Sequence, residues 1–196
     1  MSVRLPELLT EADLPGPELR AAALDGQLYA VADAWCSIAE IDDHTGRAVA
    51  AGLSLGQGVV VAERTAAWVW GARGPAPLPH TGLVVSPSRV KHQSRGSVVR
   101  QVVVDDDEMV VIRGVSVTTP ARTVVDLARG DSWAARDETI ARDVCDLHGV
   151  TMDEAIAVLD RRGRLPRRHR TLDRLRRLWL PGPRPAARTP APPSTP

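Results

Sequence analysis

Apolar and polar residues alternate along Val115-Ser116-Val117-Thr118, the two-residue period of a half-buried strand. The period then lengthens. Ala121, Val124, Val125, Leu127 and Ala128 fall on one side of a helix. Thr119 stands where a hydroxyl caps free helix N–H groups, and Pro120 where a missing N–H costs nothing. Arg122 and Asp126 are one turn apart and placed to pair, with Thr123 between them. Gly130 is expected to end the helix in a left-handed conformation. The pattern therefore predicts a strand running straight into a capped helix over 115–130.

The same reading extends along the chain. Residues 5–14 pattern as a short helix, with Thr10 and Asp13 at capping-box spacing. Pro15-Gly16 turns into a second helix, Pro17 to Leu24, with Leu19, Ala22 and Ala23 inward. Leu28 to Val31 and Trp35 to Ile38 read as two strands of a hairpin. Helix, turn, helix and hairpin is the order of a winged helix-turn-helix. Short helices follow over 47–53 and 62–71 with an extended Val59-Val60-Val61 between them, and Gly74 to Pro79 is the clearest internal linker. Beyond it come strands at 82–85, 98–104, 109–112 and 115–118, then helices at 120–129, 134–147, 152–159 and 171–180. Strands followed by helices predict an α+β fold. The expected organisation is a winged-helix-like domain over 1–74, a mixed α/β domain over 80–180, and a disordered Pro- and Ala-rich tail over 181–196.

Composition alters this picture in two places. The 196 residues hold five Trp, one Tyr and no Phe, so a core must come chiefly from aliphatic residues. Cations are Arg almost throughout, Lys91 being the single Lys, which reads as base composition of the genome before it reads as phosphate contact. Net charge is only +1 but unevenly spread: ten acids face five cations up to residue 80, whereas from Arg161 onward eleven Arg accompany Asp173 alone. The helix at 17–24 carries one cation, Arg20, and the hairpin turn none, so a DNA-reading role there has little charge to draw on. Arg47, Arg64, Arg167 and Arg168 are the further candidate phosphate contacts. Both a DNA reader and a protein-docking scaffold remain open.

Candidate catalytic chemistry is sparse. Asp105-Asp106-Asp107-Glu108 reads as a solvated hairpin tip; successive acids point different ways and make a poor metal site. The five His are scattered, and Cys36 and Cys145 show no ligand spacing and read as buried thiols. There is no Gly-rich phosphate loop and no nucleophile elbow. No catalytic residue, metal or cofactor is assigned. With no leader-like start and no long apolar run, a cytoplasmic protein without membrane contact is expected.

Three segments in order, Arg64 to Gly71, the strand pair ending at Gly114-Val115, and Val117 to Arg129, resemble the AbiEi antitoxins, actinobacterial-type members of type IV toxin–antitoxin and abortive-infection systems. The resemblance spans about residues 5–160, and Thr119, Pro120, Arg122, Thr123 and Asp126 are its structural motif. It implies a winged-helix domain that binds its own operator DNA, and a C-terminal domain that counteracts a nucleotidyltransferase-like toxin. It implies no catalysis. The alternative is a protein-interaction module with weak or lost DNA binding. A remoter one is a relic of a nuclease-fused family, because the last segment also occurs upstream of domains related to very-short-patch-repair endonucleases.

Overall fold

The computed structural model describes residues 7–86, 96–161 and 166–180. The basic loop residues Arg89, Lys91 and Arg95, the cations Arg162 and Arg164, and the Pro-rich tail lie outside them. The chain is mixed α+β, with two sheets among the described residues.

The first expected helix is replaced by a strand and a turn. Leu8–Leu9 (β1) are both buried and pair antiparallel with Trp35 and Cys36. Thr10 and Asp13 do bond to each other, the Thr10 amide donating to Asp13 Oδ2 at 2.9 Å. That closure makes an isolated turn, because Pro15 follows before a second helical turn can form. Helix α1 (Gly16–Leu24) follows and buries only Leu19 fully. Strands β2 (Leu28–Val31) and β3 (Ala34–Ser37) form the hairpin. The resulting sheet has the order β1-β3-β2.

Helix α2 (His44–Leu55) starts three residues before its expected position because Asp43 caps it, Oδ1 accepting from the Gly46 amide at 2.8 Å. Strand β4 (Val60–Val61) and helix α3 (Glu63–Val69) come next. Then follow β5 (His80–Val85), β6 (Ser97–Val102), β7 (Met109–Ile112) and β8 (Val115–Thr118). These five strands make the second sheet in the order β6-β5-β4-β8-β7. Pairing is parallel for β4 with β8 and for β5 with β6, and antiparallel elsewhere. The boundary expected at 74–80 thus falls inside this sheet, between its paired strands β4 and β5. Arg113 and Gly114 both take positive φ, which suits the tight β7–β8 turn.

Helix α4 (Pro120–Arg129) is the hub on which α3, α5 (Ala135–His148), α6 (Met152–Asp160) and α7 (Arg168–Trp179) pack. Their apolar faces, with Val124, Val125, Ala128, Ala141, Val144, Leu159 and Leu175, make one core. α7 begins three residues before the expected Thr171, which is itself buried. Leu147, expected on the inner face of α5, is exposed; Ala141 and Cys145 take that side with Ile140 and Val144. A second core joins Leu8, Val31 and Cys36 of the small sheet to α2 and to Val61, Val84 and Val117 of the large one. Both Cys are buried and free. Gly130 does not take the left-handed conformation expected of it. Its φ is −54°, and its amide bonds back to Leu127 O.

Close packing of sheet strands decides one residue. A Cβ added to Gly82 would lie 2.4 Å from Val59 Cγ1 and 3.2 Å from the Val60 carbonyl oxygen. Gly82→Ala is therefore expected to lower stability by about 1–3 kcal/mol, read from a urea titration; an unchanged midpoint would contradict this packing.

Candidate functional site

The joint between β8 and α4 fixes the position of one buried guanidinium. Thr119 caps α4, its Oγ1 accepting from the Arg122 amide, and Pro120 occupies the first turn. Thr123 donates back to the Thr118 carbonyl, and its hydroxyl lies 2.7 Å from that of Thr118. These bonds close the strand-to-helix corner. Arg122 then points inward, 2% exposed, with Nε bonded to Asp126 Oδ2 at 2.8 Å and Nη1 to Glu108 Oε2 at 2.5 Å. Burial opposes its charge, but the two facing carboxylates outweigh it and hold Arg122 above the usual arginine range. Burial pushes the Asp126 carboxyl up, while Arg122 and Arg129 pull it down.

Glu108 corrects the expectation of a solvated acidic tip. Asp106 and Asp107 are exposed, but Glu108 is 1% exposed. Asp105 to Glu108 wind into a short 3-10 turn, in which the Asp105 amide donates to Glu108 Oε2 at 3.1 Å. The Glu108 carbonyl meanwhile accepts from the Thr119 amide at 2.9 Å. The carboxylate read as a poor metal ligand is committed to an internal ion pair. Capping-box spacing at Asp105 and Glu108 was the signal available for it in the sequence.

Asp126, its side chain only 9% exposed, forms part of the floor of a charged groove along the α3 and α4 edges. Two adjoining hollows of about 430 and 420 Å³ share Glu63, Arg100, Asp126, Gly130 and Asp131 in their walls. Glu63 starts α3 with φ of +50°, a left-handed backbone that a non-glycine residue adopts at a cost. Its carboxylate is 3.1 Å from Arg100 Nη1. Burial raises the Glu63 carboxyl against the pull of Arg100. Arg64 and Arg136 extend the walls on one side and Arg129 and Arg167 on the other. The groove alternates in sign, which suits an ion-pairing partner surface better than a single-sign phosphate track.

The candidate DNA contacts are dispersed, and most are occupied. Arg47 bonds Asp42 through Nε and Nη2, donates to the Trp68 carbonyl and stacks over the Trp68 ring. Arg64 bonds Asp137 at 2.6 Å, at the start of α5. Arg167 pairs with Asp131, and Arg168 with Asp160 at 2.5 Å. Arg20 on α1 is exposed and has no ion pair among the described residues. The structure does not bring these five together. Further Arg residues serve as internal ties that sequence inspection missed. Arg73 grips Asp143 of α5, and Arg174 donates to the Ala128 and Gly130 carbonyls at the end of α4. Their partners lie 44 or more residues away, so spacing held no sign of them.

Among the described residues no helix is long and apolar enough to cross a membrane. A search of the curated proteins returned no match. The family model described as "AbiEi antitoxin C-terminal domain" matches residues 58–179, which contain the whole five-stranded sheet and helices α3 to α7.

Removing Arg122 strands two carboxylates in the interior. Arg122→Ala is expected to cost about 3–5 kcal/mol, read as a large fall in the urea midpoint. A variant that unfolded with the wild-type midpoint would show that the network is not structural.

Proposed function

The chain belongs to the AbiEi antitoxin family, and we propose from this that it represses its own operon while counteracting a nucleotidyltransferase-like toxin. AbiEi antitoxins are regulatory, non-enzymatic proteins. The reading places its work in the cytoplasm, and the Arg-rich, Lys-poor composition favours the actinobacterial-type branch. The matched region, residues 58–179, would meet the toxin. Its charged groove around Glu63, Arg100, Asp126 and Arg129 is the surface we assign to that contact.

DNA binding falls to the residues ahead of it. Here β1, α1 and the β2–β3 hairpin stand in order, with β1 paired to the returning strand of the hairpin. One helix, not two, precedes the hairpin among the described residues, so the winged-helix reading rests on α1 alone as the groove-facing helix, with Arg20 its phosphate contact. One unpaired Arg is little for a duplex, whose affinity scales with phosphates neutralised. The occupied state of Arg47, Arg64, Arg167 and Arg168 favours the second reading, a protein-interaction module with weak DNA binding.

A mobility-shift titration with the DNA upstream of the gene separates the two. The repressor reading expects a shift at low salt, with Arg20→Ala weakening it and reducing the salt slope by roughly 0.9. No shift with folded protein would leave the interaction module. In that case co-expression should still rescue growth from the neighbouring toxin, and Arg20→Ala should rescue equally well.

A further inference from the structure

The α3–α4 groove has an apolar lip as well as a charged floor. Leu78 and Val98 of β6 both line its hollow of about 430 Å³. Leu78 is 74% exposed and Val98 40% exposed. One exposed aliphatic side chain is ordinary; two on the walls of one concavity, beside Pro75, Ala76 and Pro77, make an apolar patch that suits a partner. Leu78 stands between Pro77 and Pro79. Proline fixes its own φ and restricts the residue before it. Leu78 is thus held outward on a stiff loop, with little backbone freedom left to lose on contact.

The charges of the groove are almost fully matched within the chain. Arg64 pairs with Asp137, and Arg100 with Glu63. Asp126 is held by Arg122 and Arg129, and Asp131 by Arg167. Each carboxylate in the walls of the two hollows therefore has its guanidinium. Arg136 is the exception among the cations. It lines the same hollow as Leu78 and Val98 and is exposed, and its side chain makes no ion pair among the described residues. It also stands in the first turn of α5, where the helix dipole disfavours a cation, so helix stability does not account for it.

These features define the complement. A partner gains by bringing an apolar side chain to Leu78 and Val98 and a carboxylate to Arg136. A nucleic-acid strand would find one free cation and draw nothing from the apolar lip. A basic surface would find no free carboxylate. Apolar contact around the pair would exclude water from it, the setting in which an interfacial charge pair contributes most.

We propose that the groove takes an acidic amphipathic segment of the toxin, and that Leu78 and Arg136 are the residues that decide its affinity. The inference rests on the antitoxin reading above and adds where the contact is anchored.

The full chain is titrated by calorimetry with the product of the neighbouring toxin gene. Leu78→Asp and Arg136→Glu replace exposed side chains and should unfold at the wild-type urea midpoint. Each should weaken toxin binding by roughly tenfold or more. Arg177→Glu reverses an exposed charge on α7, outside the groove, and should leave binding unchanged. No association of the wild-type chain would overturn the antitoxin contact itself and this surface with it. Association that survives both groove substitutions would overturn the groove assignment and leave the antitoxin reading standing. Equal weakening by Arg177→Glu would show that net charge, not the groove, carries the binding. Loss of operator binding in Arg136→Glu with toxin binding intact would hand the surface to DNA and overturn the proposal.

Discussion

One guanidinium holds the centre of this protein. Arg122 lies between Glu108, which ends the turn before β7, and Asp126, one helical turn ahead of it on α4. A charge this deeply buried is tolerated only with good partners on both sides. The two carboxylates satisfy it, and the Thr119 amide bound to the Glu108 carbonyl sets the backbone at the same place. Strand β8, the 3-10 turn and α4 are thereby locked together. The outer edge of Asp126 then becomes part of the charged groove, so a structural pair also shapes the surface assigned to a partner.

The rest of the molecule repeats the device with weaker versions. The chain has 25 basic and 24 acidic side chains, close to one carboxylate per cation. Arg64 to Asp137 and Arg73 to Asp143 tie α3 and its following loop to α5. Arg161 to Asp107 ties the end of α6 to the acidic turn, and Arg174 closes α7 on the end of α4. With few aromatics to fill space, the planar, multiply donating guanidinium takes on cross-helix joining. Most of these pairs are partly exposed and worth little singly. Their consequence is for function: cations engaged internally are poorly available to phosphates. Among the described residues of the C-terminal segment, Arg161, Arg167, Arg168, Arg174 and Arg176 are engaged in this way.

The α3–α4 groove alternates in charge, which suits the folded surface of a partner protein. A shared apolar core connects the small sheet to the large one, so the hairpin is anchored to the rest of the described chain through packed side chains.

Short-range features were legible in the sequence because their causes are short-range. The Val115 to Thr118 strand, the Thr119 cap and the α4 face each depend on neighbours within a few residues. The mixed α+β class followed from the order of such elements. Tertiary structure decided what depends on distant partners. Leu8–Leu9 became a strand because β3 offers an edge, although Thr10 and Asp13 carry a helix-start spacing. Glu108 left the solvated tip because a guanidinium 14 residues on needed a second carboxylate. Gly130 kept a negative φ because the chain leaves α4 in an extended direction toward α5, a path set by packing. The fates of Arg47, Arg64, Arg167 and Arg168 were likewise settled by which acids the fold brought near. Local propensity and periodicity are written residue by residue; ion pairing, burial and strand order are properties of chain segments that meet only once the fold exists.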